Sequence, residues 1–102
     1  MMNVTTIERM EITFDPGKDQ INIKKHGMSL AEASRLDWDA ALIEIDARRE
    51  YGEVREIAYA PIDDRLYFVA FTRRDKALRI ISLRKANQRE FDYYVAKIDT
   101  AN

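Results

Sequence analysis

The sequence predicts an α+β fold with two N-terminal helices, an antiparallel β-sheet meander and a C-terminal helix. Three observations predict it. Helix-start and helix-stop residues occur before residue 40, alternating apolar and polar residues follow from 41 to 84, and a capping motif opens an amphipathic stretch near the end. With 102 residues, 46% of them hydrophobic, the chain suits a single domain over 11–102. We expect residues 1–10 to form a flexible extension.

The first helix is marked at both of its ends. After a short strand at 11–14, Asp15 is expected to be the N-cap with Pro16 at the first helical position, and Gly27 suits the left-handed residue after the helix. Four polar residues of this helix have the spacing i, i+4, i+7 and i+8, and they are Lys18, Asn22, Lys25 and His26. This spacing predicts that all four lie on one face.

A second helix is expected directly afterwards, from a capping box of Ser29 and Glu32 to about Asp37. Two consecutive helices make a DNA-reading helix-turn-helix an alternative to consider. The second helix offers only Arg35 as a basic side chain, so the sequence gives this alternative little support.

Four strands are expected after these helices, at 41–48, 54–60, 66–72 and 78–84. Their short connections imply hairpins and therefore an antiparallel meander. Asn87 and Glu90 then form a second capping box. The helix that follows has an apolar stripe expected to dock on the sheet, made of Phe91, Tyr94, Val95 and Ile98.

Alternation along the last strand predicts which of its side chains share a face. One face holds Leu78, Ile80, Ser82 and Arg84, and the other holds Arg79, Ile81 and Leu83. We interpret the second set as a core face that ends in a charge. Arg79 would then be paired inward or lie at the sheet edge.

The positive charge of the chain is concentrated near its end. The net charge is −1, yet Asp75 is the only acid between residues 65 and 89, whereas the middle of the chain is acidic. The basic residues of that stretch are Arg65, Arg73, Arg74, Lys76, Arg79, Arg84, Lys85 and Arg89. Arg73, Arg74 and Lys76 are interpreted either as a solvated turn or as a phosphate clamp. The basic stretch as a whole favours a polyanionic ligand.

Composition excludes several classes of protein. The chain has no cysteine, which excludes disulfides, a thiolate nucleophile and a zinc knuckle. It has no glycine-rich phosphate loop and no carboxylate pair at metal-site spacing, so no metal and no cofactor is expected. No apolar run reaches the length of a membrane span and the N-terminus lacks a signal-peptide core, so we expect a cytoplasmic protein.

His26 is the only histidine of the chain. A lone histidine in the last turn of a helix is most often a favourable charge at the negative end of the helix dipole. Lys25 and Asn22 add a cation and a hydrogen-bond donor to the same surface, which favours a functional site somewhat more. A mechanism that needs two histidines is excluded.

Three motifs occur in order along the chain. The first is formed by Asp15, Pro16, Lys18, Asn22, Lys25, His26 and Gly27. The second is formed by Asp46, Arg48, Tyr51, Gly52, Glu53 and Arg55. The third is formed by Thr72, Arg73, Arg79, Ile80, Ile81, Ser82, Arg84, Lys85, Ala86, Glu90 and Tyr94. Together, over about residues 11–94, they resemble the BrnT toxins.

The resemblance implies a RelE-like fold and a ribonuclease toxin of a type II toxin–antitoxin system. Its partner would be a small BrnA-like antitoxin with a ribbon-helix-helix domain, and operator DNA would be bound only through that antitoxin. Two positions depart from the family pattern, because Leu83 replaces a small residue and Ala60 replaces a glycine.

The resemblance also indicates which residues would act on an RNA substrate. Those expected to be catalytic are Lys25, His26, Arg48, Arg73 and Arg79. Those expected to bind RNA are Arg73, Arg74, Lys76 and Arg84. Tyr51 or Tyr94 is a candidate for stacking on a base, although Tyr94 also fits a core position.

Two other classes of function remain open from the sequence. In the first, the domain is a non-catalytic nucleic-acid-binding module, in which the basic hairpin binds and His26 has no role. In the second, it is an interaction module whose basic face docks an acidic protein segment.

Overall fold

The computed structural model describes residues 10–47 and 52–101. They form an α+β fold with one five-stranded sheet and helices on both of its faces. The strands and α-helices are β1 (Glu11–Phe14), α1 (Pro16–His26), β2 (Leu42–Ile45), β3 (Glu56–Ile62), β4 (Arg65–Arg74), β5 (Ala77–Lys85) and α2 (Gln88–Ala101). No helix in the described ranges is long and apolar enough to cross a membrane.

The sheet has the order β1-β5-β4-β3-β2. Strands β2 to β5 form the predicted antiparallel meander. β1 pairs parallel to β5 at the sheet edge, from Glu11 opposite Ala77 to Phe14 opposite Ile80. The sheet is therefore mixed, and the prediction of an antiparallel sheet is wrong for this strand. A four-residue strand has no local feature that specifies its partner.

The second predicted helix is a 3₁₀ helix, Leu30–Arg35, followed by a shorter one, Trp38–Ala40. The predicted capping box does not form there. Ser29 Oγ accepts a hydrogen bond from the Ala31 amide and donates one to Asp19, whose carboxylate also accepts from the Leu30 amide at 2.7 Å. Asp19 of α1 therefore fixes the start of this segment, and it does so from outside the local sequence.

Each face of the sheet has its own core. On the first face the 3₁₀ segments contribute Leu30 and Trp38, and the Trp38 ring meets Phe71 of β4 edge-on at 5.6 Å between centroids. On the second face Tyr59 and Phe68 form a smaller cluster, against which Tyr94 of α2 packs. Met10 packs against the first core, so the predicted flexible extension does not include this residue.

A β-bulge in β5 reverses the alternation of its side chains. Phe71 pairs with Ile80 and Ala70 with Ser82, which leaves Ile81 as an extra residue. Leu83 consequently joins Leu78 and Ile80 in the first core, and Ile81 packs against the second. The predicted core face of Arg79, Ile81 and Leu83 is therefore wrong, because simple alternation takes no account of a bulge.

The C-terminal helix starts as predicted but is rotated on the sheet. Asn87 and Glu90 form the capping box, with bonds of 2.8 and 2.9 Å between each side chain and the amide of the other residue. The Tyr94 hydroxyl donates to the Ala40 carbonyl oxygen at 2.6 Å. Phe91 and Val95 remain 46% and 38% exposed, so only part of the predicted stripe docks.

Asn22 of α1 completes the edge of β5 where β1 ends. Its amide nitrogen donates to the carbonyl oxygens of Leu83 at 2.8 Å and Met28 at 2.9 Å, and its oxygen accepts from the Leu83 amide at 3.2 Å. β1 stops opposite Ile80. A buried side-chain amide therefore takes the place of a strand backbone and attaches α1 to the sheet.

We expect Asn22→Ala to lower the free energy of unfolding by roughly 2–4 kcal/mol, because the buried amide and carbonyl of Leu83 lose their partner. Urea denaturation followed by circular dichroism measures this change. Gln20→Ala is the matched control, since Gln20 is exposed on the same helix. Equal urea midpoints for both variants would contradict the role given to Asn22.

Candidate functional site

A cleft of about 230 Å³ lies where α1 passes β5. Its lining residues come from these two elements and are Lys18, Ile21, Asn22, Lys25, His26, Ile81 and Ser82. The four polar residues that the helical spacing predicts on one face all line this cleft. The bulge at Ile81 brings two consecutive residues of β5, Ile81 and Ser82, into the same lining.

The position of α1 is fixed at both ends and in the middle. Asp15 Oδ2 accepts from the Lys18 amide at 2.9 Å, and Gly27 takes the left-handed conformation at φ 73° while its N–H bonds Ile23 at 2.8 Å. Asn22 attaches the middle of the helix to β5. Lys25 and His26 are thereby held in the last turn, beside the strand.

The cleft has a positive electrostatic environment around His26. The pKa of the His26 imidazole lies below its ordinary value of 6.5, first because of partial desolvation and then because of the charges of Lys25 and Arg84. A lowered pKa favours the neutral imidazole near pH 7, which is the form that accepts a proton. The neutral imidazole of His26 is thus the form that this environment favours.

Arg84 lies near His26 with its guanidinium already held by the protein. Its two terminal nitrogens contact the carboxylate oxygens of Glu90 at 2.8 and 2.9 Å, and its guanidinium carbon lies 4.2 Å from the centroid of the Phe68 ring. The hydrogen bond from Arg84 lowers the pKa of Glu90. Glu90, which caps α2, therefore also joins this helix to β5, the strand that lines the cleft.

The structure places Arg73 away from His26. Arg73 Nε contacts Glu56 Oε1 at 2.6 Å and its Nη2 contacts Oε2 at 3.0 Å, with both side chains mostly buried. Arg73 is the cross-strand neighbour of Leu78, so it lies on the first face of the sheet, whereas Ser82 faces the second. Arg73 therefore lies on the other face of the sheet from Ser82, and its catalytic role stays a prediction.

The β4–β5 turn is also remote from the cleft. Lys76 and Ser82 are separated by six residues of strand, about 20 Å at the usual rise. Arg74 forms an exposed ion pair with Glu53 at 3.2 Å, and Lys76 is exposed. The hairpin and His26 thus form two separate positive regions, where the sequence suggested one.

Arg79 is on the same face of the sheet as Ser82. It is opposite Thr72 of β4 and Thr13 of β1, so it lies neither at the edge nor in the first core. In the part of the chain that the structure describes, the half-buried Arg79 side chain makes no ion pair. Arg48 and Tyr51 lie outside the described residues.

Sequence reasoning did not find all the residues that shape this region. Ile21 lines the cleft, and its only signal was that it is one of two isoleucines on a largely polar helix. Glu56 pairs with Arg73, and Glu90 pairs with Arg84. In the sequence, Glu56 belongs to an acidic stretch and Glu90 to a capping motif, and neither signal predicts these ion pairs. The unusual residues Leu83 and Ala60 are fully buried in the first core and do not line the cleft.

Within residues 10–47 and 52–101, no three histidine, aspartate or glutamate side chains lie close enough together to hold a metal ion.

A model of a known protein family matches most of this chain. The model of the family described as "ribonuclease toxin, BrnT, of type II toxin-antitoxin system" matches residues 14–90, which include α1, the strands β2 to β5 and the whole cleft. No curated protein matches the sequence. The family match covers more than half of the chain and agrees with the three motifs, so this chain belongs to the BrnT family of ribonuclease toxins of type II toxin–antitoxin systems.

Proposed function

We propose that this chain is a cytoplasmic endoribonuclease toxin that cleaves RNA at the α1–β5 cleft and thereby arrests translation and growth. The observation that carries the proposal is the single histidine, with a lowered pKa, held beside Lys25 in a positively charged cleft. Family membership supports ribonuclease activity in general. The site and the type of cleavage are our proposal.

Cleavage through the RNA 2′-hydroxyl requires a base, a positive charge at the phosphorane and an acid for the leaving 5′-oxygen. Neutral His26 accepts the 2′-hydroxyl proton, a step that typically contributes ~10²–10⁴-fold to the rate. Lys25 is adjacent in the chain and lines the same cleft. Its ammonium stabilises the developing negative charge and is available to donate to the leaving oxygen.

Arginines on β5 provide the remaining phosphate contacts in this proposal. Arg79 shares the face of Ser82 and presents a guanidinium that matches phosphate oxygens bidentately. Arg84 supports the site electrostatically through its effect on His26. Arg48 stays a candidate, and Arg73 is left out because it pairs with Glu56 on the other face. The reaction uses only side chains of the chain, without a metal or cofactor.

Arg74 and Lys76 have a separate role in this proposal. Their turn lies at the opposite end of β5 from His26, where they contact the RNA backbone beyond the cleavage site. Such phosphate contacts carry no sequence information and position the strand.

The proposed partner is a BrnA-like ribbon-helix-helix antitoxin, through which operator DNA is also bound. Type II membership implies a protein antitoxin. Phe91 and Val95 offer an exposed apolar surface on α2 beside the Arg84–Glu90 pair. Tyr93 is also partly exposed on α2, but it packs against Tyr59 and is hydrogen-bonded to Glu44, so Phe91 and Val95 are the better anchors.

We expect His26→Ala to lower RNA cleavage by at least ~100-fold, because the base is lost, with little change in RNA affinity. Cleavage of a fluorescent RNA by purified toxin, together with binding by anisotropy, measures both effects. Lys24→Ala is the matched control, since Lys24 is exposed in the same turn and does not line the cleft. Wild-type cleavage by folded His26→Ala protein would refute the base assignment and favour a non-catalytic binding module.

The single histidine makes its titration directly observable by NMR in untagged protein. We expect a midpoint below 6.5, because desolvation and neighbouring cations disfavour the imidazolium. Lys25→Met removes one of these charges and should raise the midpoint, and the acidic limb of the rate profile should move to higher pH with it. Lys24→Met should shift the midpoint less. A wild-type midpoint at or above 6.5 would contradict the proposed electrostatics.

We expect the double variant Phe91→Ser/Val95→Ser to weaken antitoxin binding by roughly 100-fold, as buried apolar anchors dominate the affinity of such interfaces. RNA cleavage by the free toxin should be unchanged, since neither residue lines the cleft. Calorimetric titration with the antitoxin measures the affinity. Asp92→Ala, on the same helix, is the control. Unchanged affinity would place the antitoxin elsewhere on the toxin.

A further inference from the structure

We propose that the α1–β5 cleft is also a nucleobase subsite, in which Ile21 and Ile81 contact the base of the nucleotide next to the cleaved phosphate. This inference rests on the proposed ribonuclease function and adds to it a substrate contact. The cleft would then select unpaired RNA, because a base must leave its helical stack to enter.

The first observation is the exposure of Ile21. Its side chain is 64% exposed on α1 although it is apolar, and it lies in the lining of the cleft beside Ile81. The two isoleucines form the apolar part of the lining, since the other five side chains are polar or charged. An apolar surface next to a catalytic group suits the flat face of a base.

The second observation is the charge around that apolar surface. Lys18 and Lys25 are placed three residues before and four residues after Ile21, so they lie on the same helix face on either side of it. Among the residues that the structure describes, no acidic side chain lines the cleft. A base in contact with Ile21 would thus have a lysine on each side for its flanking phosphates. This arrangement favours an anionic ligand with an apolar centre.

The third observation is the size and polar content of the cleft. At about 230 Å³ it is smaller than the range of roughly 300–1,000 Å³ typical of sites for drug-sized ligands, and it suits a single base. The Asn22 amide is engaged with Leu83 and Met28. The Ser82 hydroxyl makes no hydrogen bond within the described residues and is available to the edge of a base.

The test compares Ile21→Ser with the matched control Ile23→Ser. Ile23 is 40% exposed on the same helix and does not line the cleft. The wild-type cleavage site is first mapped in a mixed RNA pool, and a short RNA spanning it is made with and without an abasic ribonucleotide beside the cleaved phosphate. Cleavage and binding are measured for wild type, Ile21→Ser and Ile23→Ser. The RNA used in the binding measurement carries a 2′-deoxy sugar at the cleaved position.

We expect wild type and Ile23→Ser to lose about tenfold in kcat/KM and affinity on the abasic RNA, as expected for loss of an apolar contact. Ile21→Ser should lose about tenfold on the intact RNA and nothing further on the abasic one. Equal losses by all three proteins, or none, would overturn the subsite while cleavage itself upholds the proposed function.

Two further outcomes separate the two proposals. If no RNA of the pool is cleaved but Ile21→Ser, unlike Ile23→Ser, binds unpaired RNA of the pool about tenfold more weakly than wild type, the ribonuclease proposal fails and the base subsite stands. If Ile21→Ser weakens antitoxin binding and leaves RNA affinity unchanged, the cleft docks protein and the subsite is refuted.

Discussion

The hydrogen bonds between Asn22 and Leu83 are the constraint on which the rest of the site depends. β5 has β4 on one side, and on the other side β1 ends before the strand does. The Asn22 amide fills that gap and sets the height and rotation of α1 against the sheet. Because Lys25 and His26 follow within the next turn, their distance to β5 is a consequence of the same contact. The buried Asn22 amide therefore supports both the packing of α1 on the sheet and the position of the residues proposed to act on RNA.

Carboxylates divide the basic residues of this chain into two groups. Glu56 and Glu90 bind Arg73 and Arg84 bidentately, and these arginines join neighbouring elements of the fold. Within residues 10–47 and 52–101, the lysines of the cleft, Lys18 and Lys25, form no such pair and remain available to a ligand. A count of positive charges along the sequence therefore overestimates the surface that can meet a phosphate. It also conceals that Arg84 contributes at a distance, because its charge adds to desolvation and Lys25 in lowering the pKa of His26.

The rotation of α2 connects the site to the expected partner. The helix is oriented so that Glu90 reaches Arg84 and Tyr94 reaches Ala40. Successive residues on a helix are about 100° apart, so Phe91 is turned away from the sheet by this arrangement. The apolar surface that the antitoxin is proposed to cover is thus produced by the ion pair that stabilises the site. Binding of the antitoxin beside Arg84 would then act close to the α1–β5 cleft, the proposed active site, without filling it.

By itself, the sequence determined the elements whose signals are local. The caps of α1 and α2, the polar face that includes Asn22 and His26, and the β2–β5 meander could all be predicted, because each depends on residues within a few positions of one another. Only the tertiary structure decided the partner of β1, the bulge at Ile81, the arginine ion pairs and the rotation of α2. These features arise from contacts between residues that are distant in the chain, or from the packing of whole helices and strands against one another. The spacing and alternation of residues along the sequence carry no information about such contacts.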